Sequence, residues 1–230
     1  MKNRRLFLKK IVRFFTGIFI IFSPFFSSGK NLVAKTKKFL VPKGTKLDEL
    51  IYKNPDELIT KDLEITSLQD FSTMGQTDHI VNIDEWRLEI TGEMKNPVYF
   101  SYQDLLKFKP ITRNVLLICP GFFALHGKWK GMEMNFFLDN LNINKNATHI
   151  RFTGPKGPKS NTEIFPLKDL LSNKVFLAYE VNDMPLSIKH GFPLRIVAEE
   201  YFGGSWIKYV DDIKVEDLSS GKPSFQFKDR

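Results

Sequence analysis

The pattern of apolar and polar positions along the chain predicts many short strands. Apolar and polar side chains alternate over residues 86–91, which is typical of a half-buried strand. Residues 115–118 are continuously apolar and indicate a buried strand that starts at Asn114 and delivers Cys119 at its end. The same reasoning predicts strands over residues 149–152, 163–165, 175–180, 193–197, 206–210 and 213–215.

A few short helices are predicted between these strands. Ser101 and Asp104 have the spacing of a capping box at the start of one short helix. Residues 134–141 form a second candidate, and Pro166 suits the first turn of a helix over residues 167–171. Many short strands with few short helices predict an α+β fold with mixed β-sheets.

The chain of 230 residues divides into three predicted parts. Residues 1–29 are predicted to be an export signal. Residues 30–70, which are Lys-rich and then acidic, are predicted to be an N-terminal extension that lies over the domain. Residues 71–230 are predicted to form the domain itself.

The first part has the features of a bacterial export signal. A basic start is followed by a mostly apolar stretch over residues 11–26, which is shorter than the roughly 20 residues that span a bilayer. Residues 4–9, Arg-Arg-Leu-Phe-Leu-Lys, match the twin-arginine pattern and predict a periplasmic protein that is exported already folded. No clear A-x-A cleavage site is visible, so an uncleaved signal that anchors the chain in the membrane is the alternative.

Charge and motif content exclude several classes of protein. The net charge is +8, but residues 1–40 hold ten Lys or Arg and no Asp or Glu, which leaves −2 for residues 41–230. A body without a basic surface argues against nucleic acid as a partner. The single cysteine excludes an internal disulfide and cysteine-cluster zinc or iron–sulfur sites. The glycine-rich motifs of P-loop and dinucleotide enzymes and the GxSxG motif of serine hydrolases do not occur.

Cys119 is the first candidate for chemistry, because it ends an apolar strand just before a Pro-Gly turn. Its thiol could be a nucleophile or a soft metal ligand, and the alternative is an inert buried side chain. His126, seven residues further on, is the nearest group that could act as a base or donate a proton there. The alternative for His126 is a structural role.

A second candidate group follows near the end of the domain. Arg195 lies in the apolar run 194–197, where an unpaired charge would be costly, so it needs an anionic partner. A guanidinium offers a planar set of donors that matches phosphate. Together with the Gly-Gly pair at residues 203–204, Ser205 and Lys208, it could bind phosphate or another oxyanion. The alternative is an ion pair between Arg195 and Glu199 or Glu200.

Several ordered segments resemble the sulfite-oxidase-type molybdopterin oxidoreductases. They lie between about residues 86 and 216, and they are 117–121 (Leu-Ile-Cys-Pro-Gly), 127–132, 165–186, 190–195 (His-Gly-Phe-Pro-Leu-Arg) and 203–210. The small size and the twin-arginine pattern are most similar to the bacterial periplasmic branch that includes the catalytic subunit of protein-methionine-sulfoxide reductase. The resemblance implies the sulfite-oxidase-type molybdopterin-binding fold and a molybdenum–molybdopterin cofactor.

The resemblance also implies roles for individual residues. Cys119 would be the thiolate ligand of molybdenum, and Arg195 and Lys208 would hold the phosphate of the pterin. The further cofactor contacts that it implies are Ser72, Thr73, Thr153, His190, Ser205, Trp206 and Ile207.

One departure from the family bears on the substrate. Sulfite-oxidising members carry an arginine just after the cysteine, whereas residues 120–125 here contain no cation. This disfavours sulfite, with Phe122 and Phe123 at an apolar mouth. Around the cysteine the chain also differs from the methionine-sulfoxide reductases, so a sulfoxide or a related small oxo compound is a candidate substrate and is not assigned by the resemblance. With no haem or flavin motif, we expect a separate electron-transfer partner, either a membrane redox protein or a cytochrome. The alternative function is a non-catalytic module that binds a pterin or another anion without turnover.

Overall fold

The computed structural model describes residues 37–157 and 160–219. The predicted export signal and residues 30–36 of the predicted extension lie outside the described residues. The strands are β1 (Phe39–Leu40), β2 (Leu58–Ile59), β3 (Arg87–Gly92), β4 (Val98–Ser101), β5 (Pro110–Cys119), β6 (Phe123–Met132), β7 (His149–Thr153), β8 (Thr162–Pro166), β9 (Val175–Val181), β10 (Met184–Pro185), β11 (Arg195–Ala198) and β12 (Asp212–Glu216). The helices are α1 (Tyr102–Leu105), α2 (Met134–Asp139) and α3 (Leu167–Leu171), and short 3-10 turns cover Leu47–Leu50, Pro55–Glu57, Ile188–His190 and Gly203–Ser205.

The first large sheet carries the predicted cysteine strand. Its order is β10-β9-β6-β5, with β11 also paired to β9, and all of these pairs are antiparallel. Strands β5 and β6 form a long hairpin in which Cys119 pairs with Phe123 across the turn. Gly121 occupies this turn with a φ of +77°, a conformation that glycine adopts without steric cost.

The second large sheet is mixed, as predicted. Its order is β4-β3-β12-β7-β8, in which β3 and β12 are parallel and the remaining pairs are antiparallel. Helix α1 follows β4 and has the predicted capping box, because the Ser101 hydroxyl accepts from the Asp104 backbone and the Asp104 carboxylate accepts from the Ser101 backbone. Among the described residues, no helix is long and apolar enough to cross a membrane.

The two faces of β5 pack against different parts of the molecule. Val115, Leu117 and Cys119 belong to the main core between the sheets. Leu116 and Ile118 face the other way and pack in a second cluster with the side chains of the segment 37–70, among them Val41, Leu50 and Leu63. The described part of the predicted extension therefore covers the back of the cysteine strand.

Most of the predicted elements are confirmed, within a few residues at their ends. The strands over 149–152, 163–165, 175–180 and 213–215 correspond to β7, β8, β9 and β12. The strand predicted over residues 206–210 is wrong. Tyr209 has a φ of +59°, which interrupts an extended backbone, and only a single bridge from Lys208 to Arg195 forms there. Strand β6 was not predicted.

Candidate functional site

A cavity of about 310 Å³ lies at the end of strand β5. Four stretches of chain line it, which are the β5–β6 turn, the residues after β7, the turn Gly203–Ser205 with the residues that follow it, and a loop near residue 75. The side chains and backbone that line it belong to Met74, Gly75, Gln76, Cys119, Pro120, Phe122, Gly154, Pro155, Asn161, Gly203, Gly204, Trp206, Lys208 and Tyr209. The volume is in the range of small-molecule sites.

Cys119 is placed in this cavity by the hairpin geometry. It is the last residue of β5, and the Phe122 N–H donates to its carbonyl oxygen at 3.0 Å to close the turn. The thiol is mostly buried, and burial raises its pKa, whereas Arg195 and Lys208 act in the opposite direction. The net effect is a pKa above that of a free cysteine thiol.

Arg195 lies beside the cavity at the start of β11 and is buried. Its guanidinium carbon lies 4.9 Å from the ring centroid of Trp129 and 5.7 Å from that of Trp206, and its Nη1 donates to the His190 carbonyl at 3.0 Å. The predicted alternative of an ion pair to Glu199 or Glu200 is wrong. Glu199 pairs with Arg113, and Glu200 pairs with Lys38 and Lys174.

Lys208 lines the cavity next to Arg195. Its Nζ donates to the Thr73 hydroxyl at 3.2 Å, to the Lys189 carbonyl at 3.1 Å and to the Gln76 carbonyl. Gly191, with a φ of +103°, lets the two cationic side chains approach, because a Cβ there would lie 3.0 Å from the Cβ of Lys208 and 3.2 Å from that of Arg195.

The two cations have no anionic partner among the described residues, since neither forms an ion pair with an Asp or Glu there. Burial, together with repulsion from Arg195, lowers the pKa of Lys208 to about 8, and burial lowers the pKa of Arg195 to about 10. Arg195 is buried and Lys208 is half-buried. Charges in such surroundings without an ionic partner are costly, so this arrangement favours an anionic ligand.

The predicted contacts from the loop near residue 72 lie close to the cavity without lining it. Thr73 reaches the site only through its hydroxyl, which accepts from Lys208. Ser72 is exposed and stands two residues before the first lining residue, Met74. The ring of His190 is buried, with Nε2 3.2 Å from the Phe71 carbonyl and Nδ1 3.0 Å from the Ser187 hydroxyl. His190 therefore supports this loop and, through its carbonyl, Arg195.

The remaining predicted contacts divide in the same way. Trp206 lines the cavity, and its indole N–H donates to the Tyr201 carbonyl at 3.2 Å. Thr153 ends β7 just before the lining residue Gly154. Ser205 hydrogen bonds to Glu163 instead of facing the cavity, and Ile207 is buried, with its carbonyl accepting from the Ile196 N–H at 2.8 Å.

The geometry corrects the prediction for His126. It pairs with Leu116 across the β5–β6 hairpin, so it lies on the face opposite to Cys119. Its Nδ1 lies 3.1 Å from the Leu63 carbonyl and 3.3 Å from that of Glu64, and burial lowers the pKa of the ring. His126 therefore joins the N-terminal segment to the sheet and cannot donate a proton at the cavity.

Sequence reasoning missed three polar residues of the cavity. Gln76 and Asn161 lie in loops where no pattern marks them. Tyr209 falls within the strand predicted over residues 206–210, which marks it for no role in the site. In the structure it lines the cavity, and its hydroxyl donates to the Gln76 carbonyl at 3.1 Å. Phe122 lines the mouth and is 70% exposed, as expected for an apolar mouth, whereas Phe123 packs against the core.

These residues fit the cofactor that the sequence resemblance implies. The thiol is a soft ligand for a metal such as molybdenum. The two cations without carboxylate partners match the charge of a phosphate. Gly204 has no atom within 4 Å of an added Cβ, so the backbone leaves room for a bound molecule on that side.

Comparisons with known proteins show the family of the chain. Residues 74–224 match the model of the oxidoreductase molybdopterin binding domain. The uncharacterized oxidoreductase YuiH of Bacillus subtilis (strain 168) is 26% identical over 144 residues, which cover 61% of this chain and 71% of that protein. The NADH nitrate reductase 2 of Phaseolus vulgaris is 26% identical over 166 residues, which cover 59% of this chain and 19% of that protein.

A solved structure supports the same fold. The sulfane dehydrogenase SoxCD from Paracoccus pantotrophus superposes with a TM-score of 0.56 at 22% identity, over 61% of this chain and 40% of that one. The chain thus spans only part of the nitrate reductase and of SoxCD. It has the predicted α+β fold of the sulfite oxidase type. Since the family model covers well over half of its residues, the chain belongs to the oxidoreductases with a molybdopterin-binding domain.

Proposed function

We propose that this chain is a periplasmic molybdenum-cofactor oxidoreductase that transfers an oxygen atom at a metal bound by Cys119. One observation carries the proposal. Cys119 and the half-buried Lys208 line one cavity, and the buried Arg195 lies beside Lys208; neither cation has a carboxylate partner among the described residues. When bound, the cofactor supplies a two-electron oxidation or reduction coupled to transfer of the oxygen atom.

The residues of the chain bind and orient the cofactor at its two ends. Cys119 would be the metal ligand, as a thiolate. Arg195 and Lys208 would hold the phosphate, and in this structure Lys208 donates to neutral carbonyl and hydroxyl oxygens instead. Trp129 and Trp206 fix the guanidinium of Arg195 by packing against it.

The mouth of the cavity favours a neutral substrate. Phe122 and Met74 line it with exposed apolar surface, and residues 120–125 offer no cation to an incoming oxyanion. Two of the polar residues that line the cavity, Gln76 and Asn161, carry uncharged amides that can donate to an oxo group. We therefore propose a sulfoxide or a related small oxo compound, as in the small bacterial periplasmic branch of the family.

Electrons and location complete the proposal. The sequence has no haem or flavin motif, so a separate membrane redox protein or cytochrome exchanges electrons with the metal. The twin-arginine pattern supports export of the folded, loaded protein.

Elemental and pterin analysis tests the proposed function. Protein purified from a molybdenum-replete bacterial host should hold near-stoichiometric molybdenum and molybdopterin. Protein with pterin but no metal, or with neither, would support the non-catalytic binding module instead.

A dye-coupled screen tests the substrate class. Sulfoxides and N-oxides should be reduced, and sulfite should be oxidised at least tenfold more slowly than the best of these is reduced. Preferential turnover of sulfite would contradict the argument from the missing cation.

A further inference from the structure

The turn Gly203–Ser205 stands directly against the sulfur of Cys119. A Cβ added to Gly203 would lie 2.5 Å from Sγ, 2.9 Å from Cδ1 of Leu117 and 3.2 Å from the Ile118 carbonyl oxygen. The shortest of these distances is closer than any real Cβ contact. Only a residue without a side chain therefore leaves the sulfur where it is.

The neighbouring glycine has different surroundings. Gly204 also lines the cavity, but an added Cβ there would have no atom within 4 Å. Neither glycine has a positive φ, so backbone conformation does not demand glycine at either position. The two positions differ in one respect, which is the contact of Gly203 with the cysteine strand.

The sulfur lies between the Gly203 backbone and the cavity. An added Cβ at Gly203 would meet the sulfur at 2.5 Å, and Cys119 is one of the residues that line the cavity. Cys119 is 9% exposed, and the cavity that it lines is the open space beside it. A group that pushed the sulfur away from Gly203 would move it outward into the cavity.

We propose that Gly203 is a positioning residue for Cys119, which by its lack of a side chain sets the place of the sulfur in the cavity. The inference rests on the proposed function only in the purpose of this sulfur position, which is to bind the metal of the cofactor. Arg195 and Lys208 belong to other parts of the chain and would not move with the sulfur. A displaced sulfur would therefore no longer match a cofactor that is held at both ends.

The single cysteine makes the test direct. The full chain is purified from a host that cannot make molybdopterin, and the rate of alkylation by iodoacetamide is measured for wild type, Gly203→Ala and Gly204→Ala. We expect Gly203→Ala to react about fivefold faster, because a thiol displaced from Gly203 toward the cavity is more accessible to the reagent. Gly204→Ala should stay within about twofold of wild type, because its added methyl group meets open space. Equal rates in the two variants would overturn the proposal.

A second comparison covers the case in which Gly203→Ala is unstable. The fall in thermal midpoint caused by Gly203→Ala is measured in wild type and in Cys119→Ala, where the sulfur is absent. We expect the fall to be at least halved in the Cys119→Ala background, because the nearest obstacle has been removed. An undiminished fall would show that Gly203 serves only the packing of the turn, which would overturn the proposal.

Cofactor loading separates this inference from the proposed function. In a molybdenum-replete host, Gly203→Ala should retain at most about a third of the wild-type molybdenum. If wild type itself holds no molybdenum, the proposed function fails, while the alkylation and stability results still decide the role of Gly203.

Discussion

Two cationic side chains beside one thiol determine what the cavity can bind. Arg195 and Lys208 are paired in an isolated antiparallel bridge, and the side chains of both pack close to Gly191. Burial raises the pKa of the thiol, and each cation partly offsets that rise. Burial also lowers the pKa of both cations. An anion bound here would relieve the repulsion, whereas a neutral ligand would leave it in place.

The role of Cys119 predicts the effect of the most conservative substitution. Cys119→Ser keeps the shape of the side chain but replaces a soft, easily ionised sulfur with a hydroxyl. We expect molybdenum content to fall at least tenfold, while the thermal midpoint changes by only about 3 °C because little packing is lost. Metal analysis and thermal unfolding of the same preparations measure both quantities. Full retention of metal and turnover in this variant would be incompatible with Cys119 as the ligand.

The pKa of Lys208 predicts a pH dependence of anion binding. A pKa of about 8 means that Lys208 is mostly charged at pH 7 and mostly neutral at pH 9. The affinity of the cofactor-free chain for sulfate, whose own charge is constant over this range, should therefore fall about five- to tenfold from pH 7 to pH 9. Calorimetric titration at the two pH values measures it.

The matched variant for this titration is Lys208→Gln. It should bind sulfate weakly at both pH values, because the titrating charge is gone while Arg195, with a pKa of about 10, remains protonated. A wild-type affinity that does not change with pH would show that Lys208 does not contact the anion.

At the scale of elements, β5 connects the site to the N-terminal segment. One face of the strand carries Leu117 and Cys119 toward the core, and the other packs against the segment 37–70. The same segment meets the hairpin turn, because the Gly121 N–H donates to the Ile51 carbonyl at 3.3 Å. The family match begins at residue 74, so this support lies outside the part of the chain that the family shares.

This support predicts a stability effect from a residue far from the cavity. Leu50 is 4% exposed in the cluster behind β5, so Leu50→Ala should lower the free energy of unfolding by about 2–4 kcal/mol. Leu40→Ala is the control in the same segment, because Leu40 is 50% exposed and its truncation should change the free energy by less than about 0.5 kcal/mol. Urea unfolding measures both, and equal effects would mean that the segment does not stabilise the hairpin through this cluster.

The elements that sequence patterns predicted are those whose burial follows a simple period. Strands β3, β5 and β7 alternate or are fully apolar, and each was found. Strand β6 was missed because it contains lysines and glycines, which are uncommon in strands. Its Gly131 is required by contact with β9, since an added Cβ would lie 2.0 Å from the Leu177 carbonyl oxygen. Such a reason is visible only once the partner strand is in place.

The sequence predicts the site residues whose side-chain chemistry is unusual for their surroundings. It does not predict those that only the fold brings to the cavity. A thiol after an apolar strand and an arginine within an apolar run stand out in the sequence, and the structure brings Cys119, Arg195 and Lys208 together. Gln76 and Asn161 are ordinary loop residues until the loops meet at the cavity. The prediction for His126 is wrong because closeness along the chain does not tell on which face of a hairpin a side chain lies.

At the scale of the whole molecule, positive charge is concentrated in the first 40 residues, and the rest of the chain is nearly neutral. Ten of the basic residues lie within residues 1–40, whereas residues 41–230 carry a net charge of −2. The net charge of +8 therefore comes from the predicted export signal and the start of the extension, not from the domain. The proposed export by the twin-arginine route would suit a domain that takes up its cofactor before it leaves the cytoplasm.

The proposed twin-arginine route predicts how the protein responds to changes in the arginine pair. Replacing Arg4 and Arg5 by Lys preserves every charge, yet it should reduce the periplasmic fraction of the chain at least tenfold, because the twin-arginine pattern requires the pair itself. Arg13→Lys is the matched control, since it makes the same chemical change outside the pattern and should leave export unchanged. Fractionation of the bacterial host, followed by molybdenum analysis of each fraction, measures the distribution. Undiminished periplasmic protein in the double variant would instead favour an export signal that depends only on its charge and apolar stretch.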